Sequence, residues 1–115
     1  MDADGIYAAF VTGLASQGLL VLVLKDGIVT GADFAGVMLD GTYTVNDGGT
    51  HATLKLIGKS PPGIMTIQGK VIPEGGETNH IETVVALTGD VPFFRIETPN
   101  GPVNVRVQKL RGFNK

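Results

Sequence analysis

The chain predicts an all-β fold, an eight-stranded antiparallel up-and-down barrel, and three observations carry that prediction. Residues 19–24 are an unbroken apolar run (LLVLVL) that meets Lys25, Asp26 and Gly27 and returns as Ile28, Val29, Thr30 and Gly31. This is hairpin grammar, because Gly27 can take the positive φ that a tight turn needs. Seventeen glycines and six prolines are scattered between apolar runs rather than clustered, the pattern of frequent turns between short strands. No window reads as a helix: the best candidate, residues 32–39, holds Gly36 in mid-segment and lacks polar helix formers.

The elements follow in order. Residues 5–11 are the first expected strand, with Ile6, Ala8 and Phe10 on one side and Tyr7, Ala9 and Val11 on the other. Residues 12–18 form a turn-rich connection, and 19–25 with 28–31 form the opening hairpin. Residues 32–36 read as a bend, after which 37–39 and then 41–45 run extended. Asn46, Asp47, Gly48 and Gly49 make the next reversal, since these types tolerate left-handed backbone. In residues 50–57, Ala52, Leu54 and Leu56 share one face, and His51, Thr53 and Lys55 the other.

Residues 59–63 are excluded from a central strand, because Pro61 and Pro62 have no N–H to donate. Residues 64–72 are expected as a strand and 73–77 as a loop. Ile81, Thr83, Val85 and Leu87 alternate with Glu82, Val84 and Ala86. Residues 93–98 form a strand that turns at 99–102, and Val103, Val105 and Val107 then alternate with Asn104, Arg106 and Gln108. Short strands spaced by about ten residues suit a sandwich or a closed meander. Consecutive short reversals favour the meander, and closure removes exposed sheet edges. Phe10, Tyr43 and one of Phe93 and Phe94 are expected in the core. Ala8, Ala52, Val85 and Val105 are expected inside too, where such small residues either leave a void or fit a narrow bore.

Composition bounds the function. A chain of 115 residues makes one domain with a single core. The net charge of −2 gives no electrostatic reason to expect nucleic acid or an anionic membrane surface as partner. With no cysteine, there are no disulfides, thiolate metal sites or cysteine nucleophiles, and a reducing compartment is favoured. The start, Met1, Asp2, Ala3, Asp4, is acidic where a secretory signal is basic. The longest apolar run falls far short of the ~20 residues of a membrane-spanning helix. Cytoplasmic localisation is expected.

Candidate chemistry is sparse. His51 and His80 are the two histidines, and each reads as a surface residue on the polar side of a strand. Ser16 and Ser60 lie in no nucleophile elbow. Asp26, Asp40 and Asp47 precede or occupy glycine turns, where Asp bonds its own backbone. Asp26, Gly27, Gly31 and Asp33 are therefore assigned to turn structure. No catalytic, metal or cofactor site is expected. Arg106, Lys109, Arg111 and Lys115 form the one local charge bias, read as a solvated strand end. The member of the Phe93/Phe94 pair that faces outward would join Val84 and Ala86 in an exposed apolar patch suited to a subunit contact.

A further reading comes from resemblance. Asp4, Gly5, Ile6, Tyr7, then the glycine-led strand from Gly18, the turn Lys25, Asp26, Gly27, the segment Ile28 to Asp33 and residues 37–41 resemble the GrlR-like family. These are small bacterial proteins typified by a negative regulator of a type III secretion system, and the likeness covers roughly the first 45 residues. It implies a lipocalin-like eight-stranded barrel, a homodimer and no catalysis. The typifying regulator sequesters a transcriptional activator through an acidic Glu-Asp-Glu-Asp loop. The matching stretch here, residues 45–48, places Asn46 and Asp47 as partner-binding candidates, with Asp47 its single acidic residue.

Two functions follow as expectations. The first is a non-enzymatic regulatory interaction module, a homodimer binding a regulatory protein through loops and through Phe93 and Phe94. The alternative is a carrier with a small apolar ligand inside the barrel.

Overall fold

A computed structural model describes residues 3–13, 15–33, 35–66, 69–86, 93–98 and 101–113; of Ala86, Phe93, Phe94, Glu97 and Thr98 it describes the backbone alone. The protein is all-β. Its strands are β1 (Gly5–Thr12), β2 (Gln17–Lys25), β3 (Ile28–Asp33), β4 (Met38–Val45), β5 (His51–Ser60), β6 (Glu77–Ala86), β7 (Phe93–Thr98) and β8 (Gly101–Arg111). They form one antiparallel sheet in the order β6-β5-β4-β3-β2-β1-β8-β7. Every neighbour is a sequence neighbour except β1 and β8, whose pairing curls the meander round. The outer edges β6 and β7 meet without forming a ladder, so the barrel is nearly closed.

The opening hairpin is the tightest element. Lys25 pairs with Ile28, and the two residues between them, Asp26 (φ 52°) and Gly27 (φ 83°), both take positive φ. That is the type I′ geometry whose twist matches the flanking strands. Gly31 answers a different need. A Cβ there would sit 2.5 Å from Leu22 Cδ2 and 2.7 Å from the Val21 carbonyl oxygen, so β3 approaches β2 this closely only with glycine.

Alternation sorts the side chains. Tyr7, Ala9 and Val11 of β1 point inward with Leu22 and Leu24 of β2, Leu54 and Leu56 of β5, and Val103, Val105 and Val107 of β8. Burying each Val or Leu stabilises by roughly 1.5–3 kcal/mol. Ala52, Val85 and Val105 are buried, and half-buried Tyr43 packs against this core. Phe10 does not join it. The parity that places Ala9 and Val11 inside puts Phe10 outside, 38% exposed, with the Arg106 guanidinium 4.8 Å from its ring centroid. Ala8, on the same parity, is buried but lies outside the core cluster.

Residues 64–72 are not a barrel strand. β5 pairs directly with β6 along its whole length, from His51 opposite Ala86 to Ser60 opposite Glu77, so no lane is left for another strand. The described residues between β5 and β6, 61–66 and 69–76, instead leave the sheet as a small excursion. It is held by Gly63 N–H to Ile72 O (2.9 Å), Ile72 N–H to Ile64 O (2.8 Å) and one bridge between Met65 and Val71. β5 itself continues through Lys59 and Ser60 before Pro61 ends it, and residues 37–39 and 41–45 belong to the single strand β4 and its lead-in. β3 runs on to Asp33, so the bend begins only after that residue.

Candidate functional site

The barrel interior is not filled. The inward side chains surround a partly open cavity of about 240 Å³ lined almost wholly by apolar groups. The void has a sequence cause: where the bore needs bulk, the chain supplies Ala9, Ala52 and Gly58. An eight-stranded barrel is just wide enough either to be filled by side chains or to hold one small ligand. Among the described lining residues the only charged side chain is that of Asp33.

The two ends differ. At the lower end, by the β2–β3 turn, the N-terminal segment is tied across the barrel. Ala3 is buried and accepts a 2.6 Å hydrogen bond from the Tyr7 hydroxyl. Asp4 Oδ1 accepts from the Tyr43 hydroxyl and, at 3.2 Å, from the Asp26 N–H. A buried bond such as that from Tyr7 to Ala3 contributes about 0.5–1.5 kcal/mol.

At the upper end the excursion borders the mouth, which stays partly open. Ile64, Met65 and Thr66 line the cavity, and Ile72, 2% exposed, anchors the excursion. The excursion reaches the β1–β2 and β3–β4 connections at the same end: a Cβ at Gly36 would meet Pro61 at 3.3 Å, and one at Gly69 would meet Ala15 at 3.2 Å. An ion pair between Lys70 and Glu77 ties it to the start of β6.

The polar lining groups gather at this upper end. Asp33, Ser60, Thr66 and Asn79 all sit there, with Thr83 deeper. Asp33 Oδ1 is committed to the β3–β4 bend, accepting from Ala35 N–H (2.9 Å) and Val37 N–H (3.0 Å). Asn79 donates through Nδ2 to Glu77 Oε1 at 3.0 Å, which leaves its amide oxygen as an acceptor.

The residues singled out from the sequence are dispersed. Asn46 is spent on its turn: Oδ1 accepts from Thr50 N–H (2.9 Å) and His51 N–H (3.1 Å), and Nδ2 donates to Thr50 Oγ1 (3.1 Å). Asp47 is exposed at the tip. Phe93 and Phe94 lie opposite Arg106 and Val105 in the β7–β8 ladder, and the question of which one faces outward lies outside the described residues. Of the patch expected around them, Val84 is 56% exposed. His51 and His80 are exposed, and among the described residues no three His, Cys, Asp or Glu come together to hold a metal ion. No described helix is long and apolar enough to cross a membrane.

A second feature escaped the sequence reading. On the outside of the barrel, Ala8, Val21, Ala32 and Met38 stand side by side across β1 to β4, with Phe10 opposite Leu19 in the next row. Phe10, Leu19, Val21, Ala32 and Met38 are all exposed. The signal was present in LLVLVL: a strand apolar at every position is apolar on both faces, and one face of an antiparallel barrel normally meets water. Comparison of the chain with known protein-family models and with curated proteins returns no match.

Proposed function

We propose that this protein is a non-catalytic binding barrel that takes a small apolar ligand into its interior. The observation that carries the reading is the apolar cavity of about 240 Å³ between a tied floor and a partly open mouth bordered by the excursion. Engineered apolar cavities of ~150 Å³ stay dry and take up benzene, so this one is of a size and lining that favour an occupant over water. The test uses toluene as probe, followed by methyl NMR, with native mass spectrometry of protein purified from its host to detect a retained ligand. Saturable shifts of the Leu22, Leu54 and Val105 methyls are expected. Ala9→Leu, which fills the bore between Tyr7 and Val11, should weaken toluene binding at least tenfold while the circular dichroism spectrum is kept. Unchanged toluene affinity in Ala9→Leu overturns the reading.

A second reading is favoured by the outer apolar face of β1 to β4. A cytoplasmic homodimer that acts as a regulatory protein-interaction module would cover such a face, because contiguous exposed apolar patches mark contact surfaces. The resemblance to the GrlR-like family supports the same reading. Asp47 is the one part of the acidic loop present for a partner. The two readings are compatible in one molecule, since one uses the inside of the sheet and the other its outside. Sedimentation equilibrium across micromolar concentrations decides the second: a monomer throughout removes the self-association it requires.

A further inference from the structure

We infer that the occupant of the cavity is a neutral single-chain amphiphile, its tail toward Tyr7 and its polar end at the mouth beside Asn79. The inference rests on the interior-ligand reading above and adds the chemical class.

Size comes first. If a cavity of ~150 Å³ accommodates the six carbons of benzene, one of about 240 Å³ accommodates about ten non-hydrogen atoms. Shape comes second. The lining runs along the strands, from Leu20 to Leu24 on β2 and from Ala52 to Ser60 on β5, so the space is longer along the strands than a single side chain and suits a chain better than a fused ring system.

Polarity then sets the direction. The floor is made by Tyr7, whose hydroxyl is already bonded to Ala3 O, and by Leu24 and Val107. The hydrogen-bonding groups of the lining collect at the opposite end, in Ser60, Thr66 and Asn79. A polar head left among the floor residues would lose its water without replacement. The head therefore belongs at the mouth, where the Asn79 amide oxygen accepts a hydrogen bond from it.

Charge selects the head group. No Lys, Arg or His is among the described lining residues, and the carboxylate of Asp33 stands at the same end. The nearest ammonium of the excursion, Lys70, is paired with Glu77. A fatty carboxylate would lose hydration with no cation to meet it and a like charge nearby. An ammonium head would exchange its full hydration shell for Asp33 alone, whose Oδ1 already holds two loop N–H groups, and that exchange leaves most of its donors unmet. A neutral donor, such as an alcohol or a primary amide, fits without either conflict.

The experiment is isothermal titration calorimetry of the full chain at pH 7 with 1-alkanols, n-alkanoates and n-alkylamines of six to fourteen carbons. Alkanol affinity should rise about fourfold per methylene, reach its maximum near eight to ten carbons, and fall beyond. 1-Octanol should bind at least tenfold tighter than octanoate or octylamine. Asn79→Leu, which removes the acceptor for the alcohol, should weaken 1-octanol at least fivefold more than it weakens toluene. Octanoate or octylamine binding as tightly as octanol overturns the inference, as does affinity that keeps rising to fourteen carbons. If octanoate binds and Ala9→Leu abolishes it, the interior-ligand reading stands and the head-group assignment falls. If no member of the series binds and toluene also fails, both fall together.

Discussion

The two faces of β2 carry nearly the same chemistry and meet opposite surroundings. Leu22 and Leu24 point into the barrel and are buried, with Leu20 half-buried beside them, whereas Leu19 and Val21 point out and are exposed. An apolar side chain does not by itself report a core; what matters is what lies across from it. Inside, Leu22 faces the other strands of the closed sheet. Outside, Val21 is flanked in register by Ala8 and Ala32, residues too small to cover it. The inner face therefore holds the fold together, and the outer face is left for something else.

The largest expected effect tests the inner half of that contrast. Leu22→Ala removes a buried side chain that lines the cavity, and large-to-small core changes of this type cost about 2–5 kcal/mol. The lower part of that range is expected, because a side chain bordering an existing void has fewer partners to lose. Urea denaturation followed by far-ultraviolet circular dichroism measures it. A loss below about 1 kcal/mol would mean that the wall of the cavity bears little of the stability.

An intermediate effect is expected where β2 and β3 come closest. Gly31→Ala places a methyl within 2.7 Å of the Val21 carbonyl oxygen and 2.5 Å of Leu22 Cδ2. The leucine terminus can swing away, but the carbonyl can move only if the ladder moves. Overpacking of this kind costs about 1–3 kcal/mol. The same denaturation experiment reads it, and a double mutant with Leu22→Ala separates the two contacts. Recovery of most of the loss in the Leu22→Ala background would assign the strain to the side chain; persistence would assign it to the backbone.

How much of this was legible in the sequence depends on the length scale of the cause. Local causes were legible. The Asp26–Gly27 reversal, the alternation of β5 and the valines of β8 depend on turn geometry and a period of two, and both operate within a few residues. Causes that depend on the whole barrel were not. Residues 64–72 have strand-like composition, but β5 and β6 already pair through Ser60 and Glu77, which leaves that segment no neighbour. Phe10 looks like core by size, yet parity in β1 decides, and parity favours the small Ala9. The cavity is less legible still, because it is the difference between the bore that eight strands enclose and the summed volume of side chains from all of them. Among the site residues, Asp26, Gly27 and Asp33 could be placed by their local bonding, whereas Asn79 gave no signal until the fold set it at the mouth.

The smallest expected effect on folding falls on the outer face, and it is the sharpest test of the contrast. Val21→Asp puts a charge at a position 45% exposed and flanked by Ala8 and Ala32. Nothing is buried with it in the single chain, so monomer stability should change by no more than about 0.5 kcal/mol, apart from the lower strand propensity of Asp. Association is another matter. If β1 to β4 pack against a second copy around a two-fold axis, each interface receives two such charges in a desolvated apolar surface, because an isologous contact repeats every change. The cost then appears twice, and the dimer constant should weaken at least a hundredfold by sedimentation equilibrium, while urea midpoints measured on the monomer stay together. A mutant that unfolds as easily as Leu22→Ala would show that the outer residues are part of the core after all. One that folds and associates unchanged would show that self-association, if present, uses another surface, and the exposed Val84 on β6 would be the next position to substitute.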